Sequence, residues 1–394
     1  MKTLFLHIGM PKTGTSAVQR FFADNRELLS EEGFLYPDFG LRYEGIGVNR
    51  NAHWLHKQGY NEDEAQECFE KLRTWSEQYD RILISDEGIW NQNFHDQNFW
   101  EEGFFPWLKS RLEEIGMELH VIVFLRRQDE LFYSYWSQMV KERSTETFEA
   151  CLQKRETPFW KNRLDLEQNL REVENTVGLD HMTVRVYQPA RYKEDSHILI
   201  RDFLDAAGVK DDKEWKVLDR RVNISLTDVP LEVCRRMNQD PSIQVQKLFA
   251  YGMLKKVQQE REEAGKDLRR PVFTVEERSE LLRPYAEGNK RVAERYLKTE
   301  EAELLSVSHV SGADKKPPEI SEEEICEVYN RLLFLQEEEI QKRKERISEL
   351  KSANAALKKD KAALKSEKAA LKKDLEKAQR SLTERIARRF RKKR

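Results

Sequence analysis

"LHIGMPKTGTSAVQRFF", residues 6–22, decides how this chain reads. An apolar run over 3–9 passes into a turn with two glycines and a proline. Helical spacing follows over 16–29, with Val18, Phe21, Phe22, Leu28 and Leu29 on one face. Strand, glycine-bearing turn and helix form the layout of a loop that aims backbone N–H groups and a helix N-terminus at a phosphate. Gly9 and Gly14 have the separation of the glycines in G-x-x-x-x-G-K-[ST]. Thr15, however, stands where that loop carries its lysine, and Lys12 lies inside the turn. The cation would therefore meet a different point of a bound phosphate chain. A ligand-free tight connection would also use glycine and proline. A lysine beside Thr13, Thr15 and Ser16 favours an anion site.

Outward from this stretch, "DRILISDE" (80–87), "ELHVIVFLRR" (118–127) and "HMTVRVY" (181–187) read as strands, and "GFLYP" (33–37) as a turn with a short extended piece. Helices are expected over 61–79, 106–116, 130–142 and 195–207. This alternation predicts an α/β fold, a three-layer α/β/α arrangement with a central parallel sheet of the P-loop NTPase-like kind. From about residue 225 the pattern becomes mainly helical, and "TVEE" (274–277) is a capping-box signature. We expect the α/β domain over 1–305, a linker over 306–319 ("SVSHVSGADKKPPE"), a helical segment over 320–384 and a basic tail over 385–394.

The 394 residues are 36% charged, yet the net charge is only −2, so nothing global argues for nucleic acid. Four scattered cysteines without a C-x-x-C suggest neither a disulfide framework nor a zinc site, and they fit a reducing compartment. No run of eighteen apolar residues occurs, and the first apolar run is too short for a secretory signal. The expectation is a cytoplasmic protein that begins with its first functional strand.

The repeat "AALKKDKAALKSEKAALKKD" places Leu350, Leu357, Leu364 and Leu371 at d of a heptad. Ile340, Ile347, Asn354, Lys361, Lys368, Leu375 and Leu382 then fall at a. A coiled coil pairing two chains fits this register, giving a homo-oligomer. The polar a positions leave open a solvated single helix held by i,i+4 charge pairs. The tail "RIARRFRKKR" carries seven basic residues around Ile386 and Phe390. It fits attachment to an anionic membrane surface; a solvated tail is the plainer reading.

"PKTGTS" after a strand resembles the 5′-phosphosulfate loop of sulfotransferases that use 3′-phosphoadenosine 5′-phosphosulfate (PAPS). Those enzymes carry, at the end of a later strand, an arginine and a serine eight residues on that grip the 3′-phosphate. "VIVFLRR" and the helix after it supply Arg126 and Ser134 at that spacing, with Arg127 the adjacent alternative. The fragments "LRRQDELFYSYWSQMVK", "ISDEG", "VRVY", "RDFLDAAGV" and "RVNISL" are similar to the bacterial carbohydrate-type branch. The resemblance covers about residues 1–300 and excludes the heptads and the tail.

The resemblance implies transfer of a sulfuryl group from PAPS to a hydroxyl of a glycan, either a polysaccharide or a glycolipid. Adenosine 3′,5′-bisphosphate would be the product, and no metal would be needed. Pro11, Lys12, Thr13, Gly14, Thr15, Ser16, Arg126 and Ser134 would hold the co-substrate. Arg221, Asn223 or Ser225 of "RRVNISL" would close over it, unless they form only a polar loop. Lys12 would stabilise charge on the leaving-group oxygen. Glu87, at the end of its strand, is the expected base. Asp86 and His53 are the alternatives, against a plain role as cap or packed histidine. Tyr133, Tyr135, Trp136 and Trp160 read as a sugar platform or as core. Two rivals remain at this level: an NTP-dependent P-loop kinase, and a catalytically silent scaffold presenting a coiled coil at the inner face of a membrane.

Overall fold

Five short apolar segments form one parallel sheet in the computed structural model, which describes residues 2–55, 62–92, 103–189, 192, 195–217, 226–240, 247–266, 272–297, 305 and 319–391. They are β1 (Lys2–His7), β2 (Phe34–Leu35), β3 (Arg81–Ser85), β4 (Met117–Leu125) and β5 (Met182–Val186). The spatial order is β2-β3-β1-β4-β5, and every neighbouring pair is parallel. β1 lies between β3 and β4, with His7 opposite both Ser85 and Ile122. It is the strand at which the chain switches from building one side of the sheet to building the other. In open sheets, ligands bind in the crevice outside the carboxyl ends at such a point.

The connecting helices cover the sheet. They include α1 (Thr15–Asp24), α2 (Arg26–Glu31), α3 (Glu62–Ser76), α4 (Gly88–Gln92), α5 (Phe105–Glu113) and α6 (Gln128–Glu142). α1 and helix Ser196–Ala206 pack on one face, where Phe22, Phe34, Ile122, Phe124 and Phe203 are buried together. The Phe124 and Phe203 rings stack with centroids 5.3 Å apart. α5 and helix Leu166–Val177 pack on each other and on β4. Successive residues of a strand alternate between faces, and Val121, Ile122, Val123, Phe124 and Leu125 are all buried. Burial on both faces explains why β4 is a continuous apolar run rather than an alternating one. The expected α/β class and parallel sheet are what the chain adopts.

Two local expectations change. The helix expected over 16–29 breaks at Asn25, whose side chain is buried. Its amide donates to Phe21 O at 2.8 Å and Lys216 O at 3.0 Å, and its oxygen accepts from Lys216 N at 2.8 Å. A side chain that bonds the Lys216 backbone and its own helix end competes with continued helix. The strand expected to Gly9 ends at His7 by regular geometry, but its pairing continues. Ile8 N donates to Ile122 O at 3.3 Å, and Met10 N to Phe124 O at 3.1 Å. The capping box forms as read: Glu277 N donates to Thr274 Oγ1 at 3.1 Å, and Thr274 N to Glu277 Oε2 at 3.0 Å.

The chain divides into two compact units, Met1–Ile325 and Cys326–Arg394. The first also contains helices over 148–153, 158–164, 228–237, 247–263, 275–282 and 286–296. The second continues the helix Glu322–Arg391, in which Leu350, Leu357, Leu364 and Leu371 are exposed. Most of the expected linker, residues 306–318, lies outside the described residues, as do 392–394 of the tail. No described helix is long and apolar enough to cross a membrane.

Candidate active site at the carboxyl edge of the sheet

Three adjacent strands deliver the polar groups singled out in the sequence to one edge. β1 leads into the loop 8–14, β3 into Asp86 and Glu87, and β4 into Arg126 and Arg127.

Gly14 caps α1 in the left-handed region (φ 80°), and its carbonyl accepts from Ala17 N at 2.9 Å and Val18 N at 3.2 Å. A Cβ at this position would lie 2.6 Å from Leu199 Cδ2 and 3.2 Å from Tyr187 Cε2. Glycine is therefore favoured by conformation, and any larger residue would have to push the buried Leu199 side chain aside. Thr13 is buried and donates to Met10 O at 2.6 Å, tying the loop to itself. Pro11 and Thr15 are buried and Ser16 is exposed, so of the loop's three hydroxyl residues two are buried and one faces solvent.

Lys12 is half-buried, and its Nζ donates to Gln138 Oε1 of α6 at 3.2 Å. Burial lowers its pKa, and the neighbouring Arg126 lowers it further, while Glu142 and Glu87 pull the other way. A desolvated ammonium next to a guanidinium favours an added negative charge.

Arg126 and Arg127 turn to different partners. Arg126 Nη1 donates to Lys12 O at 2.8 Å, and its guanidinium carbon lies 5.4 Å from the Tyr187 ring centroid. Arg127 turns away and makes a two-point contact with buried Asp129, at 2.8 and 2.9 Å, which Arg278 also grips at 2.7 Å. Arg126 thus faces the loop, and Arg127 belongs to an internal charge cluster. Ser134 lies on α6, half-buried, and its hydroxyl has no hydrogen-bond partner among the described residues.

On the β3 side, Glu87 accepts from Gln19 Nε2 at 2.8 Å and faces Arg50 Nη1 at 3.6 Å. A Cβ on Gly9 would lie 3.2 Å from Glu87 Cβ, so β1's loop and the glutamate backbone are in close contact. Asp86 is fully buried. Its Oδ1 accepts from Arg50 and from Gly88 N at 2.5 Å, and its Oδ2 lies 2.7 Å from His53 Nδ1. Burial acts to raise the Asp86 pKa, but His53 and Arg50 outweigh it and hold the carboxyl below its usual range. Both of its oxygens are occupied by the chain, which unsuits Asp86 to take a proton from a substrate or to hold a cation. Behind it, His7 Nδ1 pairs with Ser85 Oγ at 2.8 Å, and burial pushes this imidazole down to about 3. Gln19 also donates to Ser85 Oγ at 3.2 Å, so His7, Ser85, Gln19 and Glu87 form one chain of contacts.

Sequence reasoning missed Arg50, Gln19 and Gln138. The signal for Arg50 was the density of polar residues in "NRNAH", read only for its histidine. Arg221, Asn223 and Ser225 lie outside the described residues. Of the aromatics, Trp136 and Trp160 are core: Trp160 packs 4.0 Å from Phe132 by ring centroids, and Trp136 Nε1 donates to Glu146 O at 3.0 Å. Tyr135 is half-buried and donates to Asn91 Oδ1 at 2.8 Å.

The edge is suited to an anion. Among the described residues, Arg126 Nε and Arg50 Nε are buried without a hydrogen-bond partner, Glu130 standing 3.5 Å from the former. No group of three or more His, Cys, Asp or Glu among the described residues is placed to hold a metal ion.

No family model matches the chain. An uncharacterized protein of Archaeoglobus fulgidus is 28% identical over 276 residues, covering 67% of this chain and 68% of that one. Among solved structures, a sulfotransferase from Alicyclobacillus acidocaldarius matches 68% of this chain and 98% of its own, at 16% identity and a TM-score of 0.36. A sulfotransferase domain from the curacin biosynthetic pathway matches 58% of this chain and 80% of its own, at 12% identity and a TM-score of 0.30.

Proposed function

We propose that this chain transfers the sulfuryl group of PAPS to a hydroxyl of a glycan acceptor. The observation that carries the reading is the contact between the two motifs. Arg126, at the end of β4, donates to the carbonyl of Lys12 in the loop after β1, at 2.8 Å. Residues 114 positions apart are thereby joined at the edge where a nucleotide bisphosphate would present both its phosphate ends. An ATP-dependent phosphoryl transfer gains no such support, because Asp86, the strand-end carboxylate it would want for Mg²⁺, is already held by Arg50 and His53.

PAPS would supply the sulfuryl group, and adenosine 3′,5′-bisphosphate would leave with the electron pair of the broken bond. The acceptor oxygen bonds to sulfur as the bond from sulfur to the bridging phosphate oxygen breaks. Lys12 neutralises the charge left on that oxygen. Glu87 takes the proton of the acceptor hydroxyl, Gln19 and Arg50 keeping its carboxylate in place. His53, fixed through Nδ1 by Asp86, orients the acceptor. Arg126 and Ser134 hold the 3′-phosphate. The heptad helix would pair two chains, and the tail 385–394 would keep a cytoplasmic enzyme at the inner face of a membrane, near glycans under assembly.

Thermal-shift titration with adenosine 3′,5′-bisphosphate, run beside AMP and Mg-ATP, tests the site. At a hundred times its Kd a ligand adds about 2.7 kcal/mol, and stabilisation by the bisphosphate alone is expected. Stabilisation by Mg-ATP alone would overturn the reading. Glu87→Gln should keep bisphosphate binding and lose roughly 10²–10⁴ in turnover of labelled PAPS. Near-normal turnover in Glu87→Gln, with turnover lost in His53→Gln, would move the base to His53.

A further inference from the structure

Two lysines from different helices converge on one tyrosine. The ammonium groups of Lys141, at the end of α6, and Lys255, in helix Lys247–Glu263, lie 6.0 and 4.8 Å from the Tyr251 ring centroid. Both side chains are half-buried. Burial, then Lys12 and Lys255, push Lys141 down to about 8. Among the described residues, neither ammonium forms an ion pair, although the Glu142 carboxylate is near enough to raise the Lys141 pKa. Glu142, next in sequence to Lys141, is exposed and accepts from Gln138 Nε2 at 2.7 Å. Two like charges, partly dried beside one ring, repel each other, and Glu142 offsets this only in part, since burial and the neighbouring lysines still lower the Lys141 pKa.

Their place along α6 relates them to the loop. Lys12 reaches Gln138, and Lys141 follows one turn later. Ser134 lies the other way, about 10 Å from Lys141 along the axis at 1.5 Å per residue. The cluster therefore lies beyond Lys12, on the side away from the Arg126–Ser134 end.

We propose that Lys141 and Lys255, backed by Tyr251, form a second anion subsite, which takes an acidic group of the acceptor. The acceptor is then an anionic glycan, carrying a uronate carboxylate or a sulfate or phosphate ester near the hydroxyl to be modified. This rests on the reading of the loop as the PAPS site, and it is measured separately from it.

The test is calorimetric titration of the full-length protein, with and without adenosine 3′,5′-bisphosphate, using oligogalacturonate, a sulfated galactose oligomer and a neutral galactose oligomer of equal length. Binding of an acidic oligomer at least tenfold tighter than the neutral one is expected. Whichever acidic oligomer binds more tightly names the group. Lys141→Gln and Lys255→Gln should each remove most of that preference and leave bisphosphate affinity within about twofold; Lys141→Arg should retain it. Equal binding of acidic and neutral oligomers would overturn the proposal, as would Gln variants that fold and keep the preference. Competition between acidic oligomer and bisphosphate would also overturn it, by making the lysines part of the nucleotide site. Acidic-oligomer binding that depends on these lysines in a protein deaf to the bisphosphate would uphold the subsite and sink the PAPS reading.

Discussion

Gly14→Ala should be far more damaging than Gly33→Ala, although both glycines sit in the left-handed region, at φ 80° and 67°. An L-residue pays roughly 1–2 kcal/mol for that conformation, and this applies at both positions. At Gly33 a new Cβ meets nothing within 4 Å. At Gly14 it would come 2.6 Å from Leu199 Cδ2 and 3.2 Å from Tyr187 Cε2. Forcing a methyl into a packed interior costs a further ~1–3 kcal/mol. The expected losses are about 2–5 kcal/mol for Gly14→Ala against about 1–2 kcal/mol for Gly33→Ala. Urea unfolding with linear extrapolation measures both, and unchanged m-values show that the comparison holds. A second consequence is specific to Gly14. Tyr187 lies under the Arg126 guanidinium, so displacing its ring should weaken binding of adenosine 3′,5′-bisphosphate, whereas Gly33→Ala leaves it intact. Equal destabilisation by the two substitutions, within about 0.5 kcal/mol, would refute the argument that close packing fixes this residue.

The adjacent arginines should separate cleanly. Arg126→Ala should lower bisphosphate affinity by about tenfold or more with modest change in stability, since a hydrogen bond to a charged group is worth about 1.5–3 kcal/mol. Arg127→Ala should destabilise by about 1.5–3 kcal/mol, because buried Asp129 loses its two-point partner and keeps only Arg278; binding isotherms and urea curves of both variants check this. His7 is held neutral, its folded pKa of about 3 lying below the ordinary 6.5. The unfolded chain therefore binds a proton that the folded one does not, and stability falls as pH drops from 6.5 towards 3. The slope approaches ~1.4 kcal/mol per pH unit; His7→Asn should remove that share of it, measured by unfolding at pH 6 and pH 4.5. Pairing through the heptads predicts a dimer by sedimentation equilibrium, and Leu357→Lys with Leu364→Lys should return it to monomer; an unchanged mass would refute the pairing.

What the sequence revealed was what local chemistry controls. The loop was legible because a strand, a glycine in the left-handed region and a helix start lie within one short stretch. β4 was legible because burial on both faces leaves a run of apolar residues. The capping box at Thr274 was legible because both partners lie within one turn. Arg126 and Arg127 were not distinguishable, since neighbouring residues at a strand end differ only in the direction they turn, which Asp129 and the loop decide from opposite sides. Arg50 escaped notice because its partner, Asp86, is 36 positions away and no periodicity connects them. The break at Asn25 depends on Lys216, which no helix propensity can anticipate. Lys141 and Lys255 become a pair only when α6 meets a helix more than a hundred residues later.

Asp86 has a mechanical meaning beyond its place behind the edge. It fastens the segment around Arg50 and His53 to the end of β3 through a carboxylate with no access to water. Peeling that segment away would break the contacts of Asp86 with both Arg50 and His53, about 1.5–3 kcal/mol for each bond to the carboxylate, so fewer than about one molecule in a hundred is open at any moment. The wall on this side of the crevice behaves as a template rather than a lid. Its backbone amides should resist deuterium exchange nearly as long as those of the sheet, and an acceptor has to fit the wall as it finds it.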